Sequence, residues 1–229
     1  HQRLQDVVAA LRKDATQVVF GAGGTLGSQD WMKAALLVRA AGQDPKRMRF
    51  VSFEGGGEAL KALRGGHIGV FTGDAAEARQ ALEKGAPLRF LAVLAQARLP
   101  GALADLPTAR EQGVDLVWPT VRGLYMAASA PDAAVRAWVT AFADALAAPG
   151  YAALCGQYGL YPFARTGAAR EAFVQRSLAD YRQLAQELGL RSRPRSGGNR
   201  ISPTGRPQAG RMDSSGQRSA NRLDATRSR

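Results

Sequence analysis

An α/β fold with a parallel sheet is the fold class the sequence predicts, and three observations carry the prediction. Short apolar runs alternate with stretches of about ten residues at helical spacing. Glycine-rich turns follow the first two of those runs. Hydrophobic residues make up 45% of the 229, enough to bury one large core or two small ones. Strands separated by helices of this length form right-handed βαβ units.

The elements follow in order. Leu4, Val7, Val8 and Leu11 recur at helical spacing, so the chain opens on an amphipathic helix. Residues 18–20 predict a short buried strand and residues 21–27 a glycine loop. Ser28 is the expected N-cap of a helix from 29 to about 41, apolar on most sides through Trp31, Met32, Ala35, Leu36 and Val38. The alternation continues with a strand at 49–53, the Gly55-Gly56-Gly57 loop and a helix at 58–64. Gly65-Gly66 stops that helix, and a strand at 68–72, a helix at 75–84 and a strand at 88–94 follow.

The texture then changes. A short helix is expected near 107–112, with apolar runs at 114–118 and 124–127. Ser129-Ala-Pro131 reads as an N-cap and early proline opening a helix to about 147. A short helix near 151–158 leads to Thr166, the expected cap of a long helix stepping through Val174, Leu178, Tyr181, Ala185 and Leu188 to a stop at Gly189. These helices carry apolar faces that need a partner surface beyond the first sheet, so a second lobe is expected, contributed in part by this chain.

The formal charge of +12 would ordinarily suggest a nucleic-acid or anionic-membrane partner. Its distribution argues otherwise. Ten arginines and only two acidic residues fall in 191–229, which leaves 21 basic and 17 acidic residues in the first 190, a net of +4. The tail is rich in Arg, Ser, Gly, Pro and Asn with almost no large apolar residue, so it reads as a disordered segment. A vector-encoded or out-of-frame extension is preferred for it over an arm that neutralises phosphates, and no nucleic-acid partner is expected.

One cysteine, Cys155, excludes an intramolecular disulfide and a multi-thiolate metal site. Two histidines, His1 and His67, leave almost no room for a histidine-based metal site or a Ser-His-Asp triad. No cofactor is expected. No stretch approaches the roughly 20 apolar residues that span a bilayer, so no membrane insertion is expected either.

The most informative stretch is Gly21-Ala-Gly-Gly-Thr-Leu-Gly-Ser28. Glycines at 21, 23, 24 and 27 permit positive φ and leave backbone N–H groups unshielded, and the Ser28-capped helix directs its positive dipole end at the same spot. A carboxylate or phosphate fits such a place. There is no lysine as in a P-loop, and the third glycine of the dinucleotide pattern is absent, which favours a small carboxylate over a nucleotide. Thr25 and Ser28 either add hydroxyl donors or serve only as turn and cap residues. The Gly55-Gly57 loop falls on the same carboxyl rim of the sheet, where open α/β sheets bind ligands. Asp74 falls there too, either accepting a hydrogen bond from a ligand hydroxyl or ammonium or capping the helix at Ala75. His67 belongs to a turn at the opposite end of the sheet, and Trp31 and Trp118 belong to the core.

Six motifs stand in sequence: Gly21 to Ser28, Phe53-Glu-Gly-Gly-Gly-Glu-Ala-Leu60, Leu63-Arg-Gly-Gly-His-Ile68, Leu91-Ala-Val-Leu94, Leu106-Pro-Thr-Ala-Arg-Glu-Gln-Gly113 and Arg122-Gly-Leu-Tyr-Met-Ala-Ala128. In order and spacing they resemble the substrate-binding family of tripartite tricarboxylate transporters, the Bug receptors, from about His1 to Leu190. The resemblance implies a type II periplasmic binding-protein fold, a Venus flytrap of two lobes that close on a small carboxylate and deliver it to membrane permease subunits. It implies a periplasmic location and no enzymatic activity. Gly23, Gly24, Thr25, Gly27, Ser28, Gly56, Gly57 and Asp74 would line the cleft. Residues 1–125 would be the second lobe, 126–190 the C-terminal part of the first and 191–229 the tail. Gly69 stands where the family often has Asp. The family's first βα segment, which supplies the opposing loop, has no counterpart before His1, so the chain reads as truncated there.

Two other classes remain in view. A ligand-sensing effector domain of a regulator would need a winged helix-turn-helix, which the sequence does not show. A hydrolase or transferase using Ser28 would need a base, and His67 stands at the wrong end of the sheet.

Overall fold

The computed structural model describes residues 1–190; the tail expected to be disordered lies outside them. Helix α1 (Leu4–Lys13) buries Leu4, Val7, Val8 and Leu11, and Asp6 closes its start by accepting from the N–H groups of Gln2 (2.6 Å) and Arg3 (3.0 Å). Strand β1 (Val19–Gly23) leads through a tight turn into α2 (Gln29–Ala40). Strand β2 (Arg49–Phe53), α3 (Gly56–Arg64), β3 (Val70–Phe71) and α4 (Ala75–Glu83) complete the alternating half. The sheet is parallel in the order β2-β1-β3, with Gly21 opposite Val51 and Phe71.

The central position of β1 is decided by its residues. Phe20 is fully buried and joins Val7, Val8, Leu11, Val18, Leu37 and Val38 in the main core. Gly21 follows because nothing larger fits: a β-carbon there would stand 2.6 Å from Ile68 Cδ1 and 3.0 Å from Phe53 Cε2. The expected loop at 21–27 is therefore shorter, since β1 runs on through Gly23. The expected helix at 58–64 begins earlier, so that Gly56 and Gly57 form its first turn.

The expected strand at 88–94 does not form. Residues 85–92 run without ladder partners, and only Val93 makes an isolated parallel bridge, to Thr108. The reason lies in β3. It is two residues long, too short an edge to receive a fourth strand, and a cavity of about 750 Å³ opens between 69–76 and 87–96 instead. The expected helix near 107–112 is a 3-10 turn, Arg110–Gln112.

Helix α5 (Asp132–Ala147) starts behind Pro131, so Ser129 lies outside the N-cap position assigned to it; a cap must directly precede the first helical residue. Helix α6 (Tyr151–Gln157) buries Cys155. Thr166 precedes α7 (Gly167–Glu187) as expected but makes no side-chain capping bond. The end of α7 returns to α2: Leu188 packs with Trp31, Met32 and Trp118, and Arg39 pairs with Glu187 at 2.9 Å. Trp31 and Trp118 are core residues, as the sequence suggests. By contrast α5 buries none of its 16 residues, and Leu124, Tyr125, Trp138, Leu154 and Tyr158 stand exposed. Among the described residues no single helix is long and apolar enough to cross a membrane.

This core predicts a steep contrast. Phe20→Ala removes a fully buried ring from the central strand and should cost about 3–5 kcal/mol by urea unfolding. Leu26→Ser, at a side chain 68% exposed, should change stability by no more than about 0.5 kcal/mol.

Candidate functional site

The two glycine turns meet at the carboxyl rim of the sheet. Gly23 faces the backbone of Gly55 and Gly56 so closely that a β-carbon would stand 3.4 Å from Gly55 Cα. The contact is stitched by the N–H of Gly24, which donates to the carbonyl of Phe53 at 3.0 Å. Gly24 and Gly27 both hold positive φ, 86° and 83°, and a side chain at Gly24 would strike the Ser28 Cβ, 2.8 Å away. Ser28 caps α2: its N–H donates to Thr25 at 2.9 Å and its Oγ accepts from the N–H of Trp31 at 3.3 Å.

The expected ligand-binding residues therefore differ in role. Gly23 belongs to the sheet, and the N–H of Gly24 is already engaged. The N–H groups of Thr25, Leu26 and Gly27 have no partner among the described residues, and neither do those of Gly56 and Gly57 at the start of α3. Two sets of open donors thus lie beside the starts of α2 and α3, in turns that the Gly24–Phe53 hydrogen bond ties together. Open N–H groups beside helix starts are chemically suited to an anion.

Around it lies a set of charges that the sequence reading missed, apart from Asp74. Asp74 occupies the N-cap position of α4, but its carboxylate makes no capping bond; it pairs with Arg122. Lys33, only 4% exposed, pairs with Asp30 at 2.7 Å one turn earlier on α2. Thr72 Oγ1 ties the same corner to β3 by donating to the Asp30 carbonyl at 3.0 Å. Glu77, in the first turn of α4, rests its Oε2 against Gly56 Cα, where any side chain would collide with it. Burial pushes the Glu77 carboxyl above its ordinary value, Asp74 and Asp30 push it further, and Arg122 and Lys33 oppose the rise. The Asp30/Lys33 spacing of three on a helix that starts at the rim was the signal that could have found this corner.

Lys33, Thr72, Asp74 and Arg122 also border the 750 Å³ cavity, whose walls are otherwise mainly apolar, with Leu37, Leu60, Leu82 and Leu91 among them. Of the eight residues expected to line a cleft, Asp74 alone reaches that cavity; the glycine turns open elsewhere on the rim. His67 sits in the turn before β3, at the far end of that strand from Asp74.

Compared with known families, residues 1–190 match TctC, the tripartite tricarboxylate transporter family receptor. The chain belongs to the TctC family. Among solved structures, a TctC solute binding protein from Polaromonas, without ligand, is 26% identical with a TM-score of 0.60, covering 82% of this chain and 62% of its own. An R. palustris protein solved with adipate shares 21% identity at a TM-score of 0.66, over 82% of this TctC chain and 62% of the other. A structure described as a periplasmic transporter gives 23% and 0.68, over 82% and 60%. The TctC chain thus spans about three fifths of the length of these proteins. No curated protein matches it. The family is one of transport receptors, and the Polaromonas neighbour is a solute binding protein.

Two measurements probe the site as built. Ser28→Ala should cost about 1 kcal/mol through the lost cap, and Gly24→Ala about 1–3 kcal/mol through its positive φ and the Ser28 collision. Glu77→Gln should stabilise the protein near neutral pH. A raised folded-state value favours folding at low pH, and that advantage is lost as pH rises through it. The gain should therefore shrink as pH falls and vanish below the ordinary value of 4.5, as thermal melts across pH would show.

Proposed function

We propose that this chain is the greater part of an extracytoplasmic solute receptor that binds a small carboxylate and hands it to the membrane permease of a tripartite tricarboxylate transporter. One observation carries the reading: the open N–H groups of residues 25–27 and of Gly56 and Gly57 belong to two turns, beside the starts of α2 and α3, that the Gly24–Phe53 hydrogen bond ties together. Family membership supports transport, and the adipate held by the R. palustris neighbour is a carboxylate of the expected kind.

On this reading Gly27, Thr25, Ser28, Gly56 and Gly57 hold the ligand's carboxylate, Gly23 and Gly24 shape the turn and Asp74 lines the cleft beside Arg122. Residues 1–125 form one lobe of a type II binding-protein fold. Residues 126–190 form the C-terminal part of the other, which accounts for the exposed apolar faces of α5 and α6: they await the remainder of that lobe. The location is periplasmic. The reaction class is binding without chemistry, since Ser28 Oγ caps a helix and His67 stands far along β3 from it.

Thermal denaturation of the intact protein against a panel of mono-, di- and tricarboxylates checks the proposal. A matching carboxylate at about 100 times its Kd should stabilise by about 2.7 kcal/mol. Stabilisation by sugars or cations alone would contradict it.

A further inference from the structure

The cavity of about 750 Å³ beside β3 lies apart from the glycine turns, none of whose residues line it, and its volume is that of a small-molecule site. Leucines and phenylalanines line it, among them Leu60, Leu82, Leu91, Phe71, Phe90 and Phe163. Such a wall favours an apolar body, because every methylene that leaves water for it adds to binding.

Charge on the wall is uneven. Lys33, Arg89 and Arg122 border the cavity against one carboxylate, Asp74, and Arg122 already pairs with that carboxylate. Arg89 stands exposed to water, whereas Lys33 is only 4% exposed. Asp30, at 2.7 Å, is the one partner of Lys33 among the described residues. An ammonium has three hydrogens to donate, and a buried donor left without an acceptor is costly. An anionic oxygen at the Lys33 end of the cavity supplies a further acceptor, through a charge-assisted bond that a neutral oxygen matches poorly.

We infer that this cavity is a second binding site, for an amphipathic monoanion: an acid with an apolar chain of medium length, its charged end at Lys33 and its chain among the apolar side chains between 69–76 and 87–96. One charge is matched and no more, since Asp74 neutralises Arg122 and the surroundings of Lys33 are otherwise apolar. The site stands on its own lining residues and does not depend on an anion at the glycine turns.

Titration of the intact protein with butanoate, hexanoate, octanoate and octanol, read by calorimetry and by amide chemical shifts, tests it. Affinity should rise about fourfold for each added methylene that the cavity buries. Octanoate should bind about tenfold more tightly than octanol, with shifts at residues 69–76 and 87–96. Lys33→Met should bring octanoate down to octanol, and Leu82→Trp, which fills the cavity, should weaken both. The chain-length series uses the unsubstituted protein, so it decides the matter even where a variant misfolds. Affinity that ignores chain length, equal binding of octanoate and octanol, or shifts confined to the exposed face of α5 around Trp138 would overturn the inference. Thr25, Gly27, Gly56 and Gly57 report the glycine turns separately, so the carboxylate receptor stands or falls by their shifts and not by those of the cavity.

Discussion

The close approach of β1 to the turn between β2 and α3 is the constraint on which the rest of this structure depends. A β-carbon added at Gly23 would touch Gly55 Cα at 3.4 Å, and the Gly24–Phe53 hydrogen bond fixes the two turns there. A β-carbon at Gly21 would already force Ile68 and Phe53 aside, so the central strand can lie between its neighbours only because it is built from small residues after Phe20. The sheet's core and the geometry of its rim are consequences of one glycine-rich stretch. The same stretch starts α2, whose two faces collect the main core on one side and the Trp31, Trp118 and Leu188 cluster on the other.

Electrostatics at the rim follow from that packing. A lysine as buried as Lys33 needs a partner, and Asp30 one turn away provides it without disturbing the helix. The exposed Arg122–Asp74 pair contributes little to stability, but it removes a charge from the neighbourhood of the open N–H groups. Glu77, beside Gly56, is left without an ion-pair or hydrogen-bond partner among the described residues.

Much of this was legible in the sequence, for reasons that are local. Ser28 as N-cap, the parallel βαβ alternation and the core positions of Trp31 and Trp118 depend on neighbours within a few residues or on periodicity. The misreadings concern longer range. Residues 88–94 have the composition of a strand, yet whether they pair depends on the length of β3, which is two residues. Asp74 reads equally as cap or ligand acceptor until Arg122, 48 residues on, takes its carboxylate. Glu77 looks like an ordinary first-turn acid of a helix; only the three-dimensional contact with Gly56 distinguishes it. Ser129 was misassigned by two residues because the proline that follows itself takes the N-cap position.

The central claim is that an anion is held by the main chain at the meeting of two glycine turns. Amide chemical-shift mapping of the intact protein during titration with a bound carboxylate tests this most directly, because it reads individual N–H groups. The account predicts the largest shifts at Thr25, Leu26, Gly27, Gly56 and Gly57, with Gly24 moving less because its N–H stays on Phe53. Shifts confined to the walls of the apolar cavity, around Leu82 and Leu91, with the glycine turns unmoved, would contradict it.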